Sequence, residues 1–193
     1  MKFDIQLSEV NKMEFDSVRD KMDRVVKTKA NNEECHGRSV YQDKKNKLYY
    51  KVFNKDFVRR QNFIDALKVG FYDRVSPALV GIIYDGDDIM GYVTTAGKTA
   101  DFKRAKKEMM KILGEVIKET NFFYFDFVEA NIIVLEDGRM SLVDLESVLG
   151  INKLQLKGDK IIYPDPIGPK VNDQQADIIR GILKEQSKST ARS

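Results

Sequence analysis

Three oxygen-bearing side chains, Asp126, Asn131 and Asp144, fall in one stretch, FFYFDFVEANIIVLEDGRMSLVDLESVL, spanning 122–149. Apolar residues 132–135, a turn at Glu136-Asp137-Gly138-Arg139 and residues 140–143 predict a β-hairpin. Asn131 then enters one strand as Asp144 leaves the other, so both side chains fall at the same end. A carboxylate and an amide oxygen placed together suit Mg²⁺, which completes its shell with phosphate oxygens from a substrate. Asp126 lies far enough upstream to reach over the same place as a base. A hairpin whose Asp and Asn serve only its turns carries the same pattern.

The complementary cation is Lys51, inside the strand Leu48-Tyr-Tyr-Lys-Val-Phe53. A strand Lys pointing into a core needs a negative partner, because burying an unpaired charge is costly. On an edge strand it faces water instead. The segment His36-Gly37-Arg38-Ser39-Val40-Tyr41 precedes it, and a turn over 43–47 makes the two strands a second hairpin.

The order of these parts resembles the protein-kinase-like superfamily from about Gly37 to Leu149. D-x-x-x-x-N, a hairpin and a further Asp are similar to its catalytic loop and metal-binding Asp. Asp144-Leu145-Glu146 is closer to the D-x-E or D-x-D endings of small-molecule and atypical kinases than to D-F-G. Glu129-Ala130-Asn131 resembles the S-E-x-N of RIO kinases and the P-G-N of aminoglycoside phosphotransferases and lipopolysaccharide kinases. The resemblance implies that Lys51 clamps the α- and β-phosphates of ATP, that Asp126 is the base orienting the acceptor, and that Asn131 and Asp144 hold Mg²⁺. Gly37 and Val40 would belong to a phosphate-covering loop of which only one glycine remains. It further implies Met90 as gatekeeper, with the Gly91 carbonyl and the Val93 amide facing adenine and Ala96-Gly97 opening the second half. A plain apolar strand and loop explain the same residues. The chain departs from the family where Tyr124 replaces the usual His and Val128 the usual Lys. No Glu occurs between Glu34 and Glu108, so the helix carboxylate that normally pairs with the strand Lys is missing; Gln61 or Asp65 are the stand-ins.

The elements that must position these groups follow from periodicity. Asn11 caps a helix carrying Phe15, Val18, Met22 and Val25. A helix over 55–69 presents Phe57, Ile64, Leu67 and Phe71 and stops near Gly70. Strands over 77–84 and 89–94 flank a turn at Asp85-Gly-Asp-Asp88. The longest periodic segment, 100–120, places Phe102, Met109, Ile112, Leu113, Val116 and Ile117 on one face. A short strand is expected over 1–7, a loop over 164–169, a helix over 173–184 and a disordered polar tail beyond it. The expected fold class is α+β: a two-lobed kinase-like fold with a small antiparallel-sheet N-lobe over 1–95 and a reduced helical C-lobe over 96–193.

Composition narrows the function classes. The net charge of the 193 residues is +3, too small to mark nucleic acid as a partner, and the Lys103–Lys107 basic run suits a solvated helix face. The lone Cys35 excludes an intrachain disulfide, and the single His36 excludes a multi-histidine metal site. No apolar run approaches a membrane span of roughly 20 residues, and the polar start does not resemble a signal peptide; the expectation is a cytoplasmic protein without a membrane partner. The leading reading is an ATP- and Mg²⁺-dependent phosphotransferase acting on a protein or small-molecule hydroxyl. The alternative is a pseudokinase, a nucleotide-binding or scaffolding module.

Overall fold

The structure is a computed structural model that describes residues 7–24, 38–99, 101–164 and 171–190. Residues 1–6 of the expected first strand, Val25, Cys35, His36, Gly37 and the loop over 165–170 lie outside the described residues. The fold is mixed α+β. Six strands, β1 (Ser8–Asn11), β2 (Asp23–Arg24), β3 (Arg38–Asp43), β4 (Leu48–Phe53), β5 (Leu79–Asp85) and β6 (Asp88–Thr95), form one sheet in the order β1-β5-β6-β4-β3-β2. The hairpins expected over 38–53 and 77–94 are present as β3–β4 and β5–β6. β1 pairs in parallel with β5, a contact that sequence-local pairing does not suggest.

Helix α1 (Lys12–Arg19) begins where Asn11 accepts a hydrogen bond of 2.8 Å from the Met13 amide, and ends short of Met22. Its buried Phe15 packs on the rings of Tyr41 and Tyr50, with centroids 5.4 and 5.5 Å away. Ile83, Met90 and Val93 form a small core on that face of the sheet.

The opposite face is covered by α2 (Arg60–Lys68) and α3 (Tyr72–Val75). Residues 55–59 are not helical as periodicity predicts. They run in tight turns, with the Phe57 amide bonded to the Asn54 carbonyl and the Arg60 amide to the Phe57 carbonyl, and no side chain caps the helix start. Phe53, Phe63, Tyr72 and Tyr92 join there in an aromatic cluster, with the Phe63 and Tyr92 rings stacked at 5.0 Å. This cluster opens a continuous core that reaches Ile179 and Leu183, so burial runs unbroken across the point where the chain leaves β6.

Beyond β6, strand β7 (Lys98–Thr99) leads to α4 (Phe102–Thr120), capped by Asp101 and ended by Asn121 at φ 58°. In the basic run Ala105 is buried, while Lys103, Arg104, Lys106 and Lys107 are exposed. Then follow β8 (Phe122–Tyr124), a 3₁₀ turn over Glu129–Asn131, β9 (Ile132–Val134), β10 (Met140–Leu142) and β11 (Val148–Gly150). A small hairpin, β12 (Gln155–Lys157) and β13 (Lys160–Ile162), precedes α5 (Asp173–Thr190), which packs on α4. The tail expected to be disordered from Lys184 is helical to Thr190, carried on from the turn that buries Ile179 and Leu183. No described helix is long and apolar enough to cross a membrane.

The β5–β6 ladder steps from Tyr84↔Ile89 to Ile83↔Gly91, leaving Met90 as the extra residue of a β-bulge. There the β6 backbone approaches β4 so closely that a Cβ on Gly91 would overlap the Lys51 carbonyl oxygen. Gly91→Ala therefore forces the strands apart. It should cost about 1–3 kcal/mol, as overpacking does, and lower Tm by roughly 2–12 °C for a chain of this size. A methyl group added at Gly181 in α5 would meet nothing within 4 Å. Gly181→Ala should instead raise Tm by a few degrees, since Ala favours a helix interior by about 0.5–1 kcal/mol. Calorimetry of the two variants against the parent chain reads both signs.

Candidate functional site

Lys51 sits in the middle of the sheet, opposite Val40 on β3 and Tyr92 on β6, so the three side chains form a row across one face. Two residues along each strand, the same face carries Arg38, Tyr49 and Thr94. Facing them is the loop that holds the three oxygen-bearing residues. β8 pairs antiparallel with β11, and the Phe125 amide bonds the Ser147 carbonyl at 3.0 Å, which closes residues 125–147 into one loop. Inside it, β9 pairs with β10, and the Val143 amide bonds the Asn131 carbonyl at 2.9 Å. This last bond is what sets Asn131 beside Asp144.

Asp144 adopts a left-handed backbone, φ 63°, which Asp tolerates better than most residues. The turn it makes is closed by the Ser147 amide on the Asp144 carbonyl at 2.9 Å and by the Ser147 hydroxyl on Asp144 Oδ2 at 3.1 Å. Tyr124, found where the family resemblance predicts His, donates its hydroxyl to the Val143 carbonyl at 2.5 Å. The turned backbone buries Leu145 and sends Asp144 and Glu146 together toward the sheet. Leu145 is gripped on both sides: its amide donates to the Tyr92 hydroxyl at 2.9 Å, and its carbonyl accepts from the Tyr72 hydroxyl at 2.7 Å.

The result is a four-membered ion cluster. Lys51 Nζ bonds Asp144 Oδ1 and both oxygens of Glu146, the latter at 3.0 and 3.2 Å. Arg38 reaches Glu146 Oε1 at 2.9 Å and lies 3.5 Å from Asp144 Oδ1. The Tyr92 hydroxyl donates to Glu146 Oε2 at 2.7 Å. Glu146 is fully enclosed, whereas the side chains of Lys51, Arg38 and Asp144 keep 11, 16 and 18 % of their surface, on the cleft side. Burial alone would push the Asp144 carboxyl up; the charges of Lys51 and Arg38, with hydrogen bonds from Lys51 and Ser147, outweigh it and hold Asp144 well below the ordinary carboxylate range. Burial, then the charges of Glu146 and Asp144, push the Tyr92 hydroxyl well above its ordinary value, so it remains a neutral donor.

These groups line a cleft of about 540 Å³ between the sheet and the hairpin. Val40, Tyr49, Tyr92 and Thr94 form one wall, Asp126, Asn131, Ile133, Val143 and Asp144 the other, and Thr95, Ala96, Gly97 and Thr99 the connecting end. That end is tight because β7 pairs with β9, and a Cβ on Gly97 would meet the Val134 carbonyl at 2.8 Å. The Asn131 amide nitrogen donates to the Asp126 carbonyl at 2.9 Å and to Asp126 Oδ2 at 3.2 Å, which leaves the amide oxygen as the group Asn131 offers a cation.

Lys51, Val40, Asp126, Asn131 and Asp144 thus meet at one cleft; Gly37 lies outside the described residues. Met90, Gly91 and Val93 do not line it, which corrects their expected place at the adenine edge. The bulge turns Met90 to the far face beside Ile83 and Val93, and Gly91 and Val93 pair within the central ladders of β6 with β4 and β5. The β6 residues on the cleft are Tyr92, Thr94 and Thr95. The stand-ins for the missing helix Glu do not reach Lys51 either: Gln61 donates to Asp65 at 2.6 Å on an exposed face of α2. The carboxylate beside Lys51 is Glu146, two residues past Asp144 and visible in the D-L-E triplet, and Arg38 is legible in the sequence only as a spacer in G-x-x-V-Y. No protein-family model matches this chain, and a comparison with curated proteins finds no match.

Removing Glu146 takes away one of two carboxylates and leaves Lys51 and Arg38 sharing Asp144. Glu146→Ala should destabilise the protein by about 3–5 kcal/mol, a fall in Tm of roughly 6–20 °C, whereas Gln61→Ala should stay within about 0.5 kcal/mol of the parent. Urea denaturation of the two variants measures the contrast, and equal, small effects would mean that the buried pair does not hold the site together.

Proposed function

We propose that the chain is an ATP- and Mg²⁺-dependent phosphotransferase with a two-lobed, kinase-like arrangement, the boundary falling near Thr95. The observation that carries this reading is the meeting of Lys51, Asp126, Asn131 and Asp144 at one cleft whose volume lies in the range of small-molecule sites, about 300–1,000 Å³. The donor set fits the metal: one carboxylate and one amide oxygen, both hard ligands, at the mouth of a cleft open to phosphate and water. Asn131 and Asp144 would hold Mg²⁺, which when bound neutralises charge on the β- and γ-phosphates.

The chain's own residues then divide the work. Lys51, fixed by Glu146, offers its ammonium to the phosphate oxygens; Val40 and Ile133 offer apolar surface on opposite walls for a nucleobase. Asp126, oriented by the Asn131 amide, accepts the proton of an acceptor hydroxyl as its oxygen bonds the γ-phosphorus. The bond from that phosphorus to the β-bridging oxygen breaks, and ADP leaves with the electron pair. Most of the rate in such a transfer comes from positioning and charge neutralisation, which the ion cluster supplies. The acceptor is the hydroxyl of a protein or small molecule.

A scaffold that binds nucleotide without transfer is favoured by one observation: past β11 the described chain adds only a 3₁₀ turn, a two-stranded hairpin and one long helix, little on which to seat an acceptor. Two measurements separate the readings. ATP with Mg²⁺ should raise Tm in proportion to the logarithm of its concentration, and no shift at millimolar ATP sinks both. With labelled ATP, Asp126→Asn should lose phosphate release or transfer by about a hundredfold or more while keeping the thermal shift. Transfer equal to the parent's in that variant removes Asp126 as the base, and no transfer by the parent to water, itself or added acceptors leaves the scaffold.

A further inference from the structure

Arg38 has no part in the scheme above, yet it stands in the same cleft. It enters from the first residue of β3, on the face that carries Val40 and Lys51. Its guanidinium is held at 2.9 Å from Glu146 and lies over the Phe57 ring at 5.9 Å. Burial opposes its charge, but Glu146 and Asp144 more than offset that.

Two observations mark it as more than a counter-ion. Two cations, Lys51 and Arg38, face two carboxylates, Asp144 and Glu146, and Lys51 with the Tyr92 hydroxyl already bonds both oxygens of Glu146 without Arg38. Moreover, the second terminal nitrogen of Arg38 sits 3.5 Å from Asp144 Oδ1, an electrostatic contact longer than a good hydrogen bond. Once Asp144 is engaged by a divalent ion, Lys51 and Arg38 keep only Glu146 between them, and one net positive charge faces the cleft. A planar fork with five donors, clamped from behind and partly open in front, suits two oxygens of a phosphate.

We propose that Arg38 is a second phosphate-binding cation, contacting the terminal phosphates of the nucleotide beside Lys51 and supplying the anion contacts that a glycine-rich loop would otherwise make. The proposal rests on the nucleotide reading above. Glu146 positions both cations at once, and Arg38 determines preference for di- and triphosphates over the bare nucleoside.

Isothermal titration of ATP, ADP and adenosine, with Mg²⁺ present, into the parent chain, Arg38→Met and Arg38→Lys tests it. Arg38→Met should weaken ATP and ADP by at least about tenfold, as loss of a charged hydrogen bond does, and leave adenosine unchanged within about twofold. Arg38→Lys, keeping charge without the fork, should fall between. ATP bound as tightly by Arg38→Met as by the parent overturns the proposal, and so does an equal loss for ATP and adenosine, which marks a purely structural role. A parent chain that binds none of the three overturns the nucleotide reading itself and Arg38's role with it. If Arg38→Met does not fold, the parent is treated with phenylglyoxal with and without inorganic pyrophosphate, and the modified arginines are located by peptide mass spectrometry. Pyrophosphate should slow modification of Arg38 and not of Arg74, which lies outside the cleft paired with Glu115; equal rates at Arg38 overturn the proposal.

Discussion

One enclosed carboxylate governs the architecture around the cleft. Glu146 keeps no surface, and an ionised group taken from water costs several kcal/mol unless its lone pairs are answered. They are answered from three strands of the six-stranded sheet: Arg38 on β3, Lys51 on β4 and Tyr92 on β6. The sheet and the 125–147 loop are therefore fixed relative to each other by electrostatic need as well as by apolar packing. Sliding either one by a residue would separate Glu146 from the two cations and the hydroxyl that answer it.

The loop's own geometry meets that demand at a local cost. A left-handed Asp144 is unfavourable by about 1–2 kcal/mol, and several bonds hold it there. Ser147 closes the turn through its amide and its hydroxyl, Tyr124 fixes the Val143 carbonyl, and Tyr72 and Tyr92 hold the two backbone groups of Leu145. The same turn that buries Leu145 points both flanking carboxylates at Lys51.

Much of this is legible in the residues alone, and the reasons for the rest are physical. Hairpins 38–53, 79–95 and 132–142 announce themselves because strand-forming runs end at short polar turns, and the turn over 136–139 brings Asn131 and Asp144 to the same end of its hairpin. Met90 is expected on the wrong face because a bulge adds one residue without changing the alternation of the sequence around it: Tyr92 and Thr94 keep the cleft face that alternation gives them, and Met90 turns to the other. Glu146 does not stand out as a partner for Lys51 because the family pattern places that carboxylate on the following helix, where Gln61 and Asp65 instead satisfy each other. Its place beside Lys51 is a contact between residues 95 positions apart, which no local pattern of residue types encodes. The parallel pairing of β1 with β5 joins residues more than 70 positions apart and leaves no local trace.

Placing the lysine's carboxylate on the Asp144 turn, instead of on α2, changes what the site depends on. When the carboxylate comes from a separate helix, the cation and the metal-binding Asp are set by two elements that move independently, and displacing the helix disconnects them. Here Asp144 and Glu146 are two residues apart on a turn held by backbone and hydroxyl hydrogen bonds, and Lys51 touches both. α2 supplies none of the ion cluster's own bonds and meets it through the Phe63 ring, which stacks on Tyr92. On the phosphotransferase reading, the carboxylate that fixes the phosphate-binding lysine comes with the Asp144 turn and not with α2.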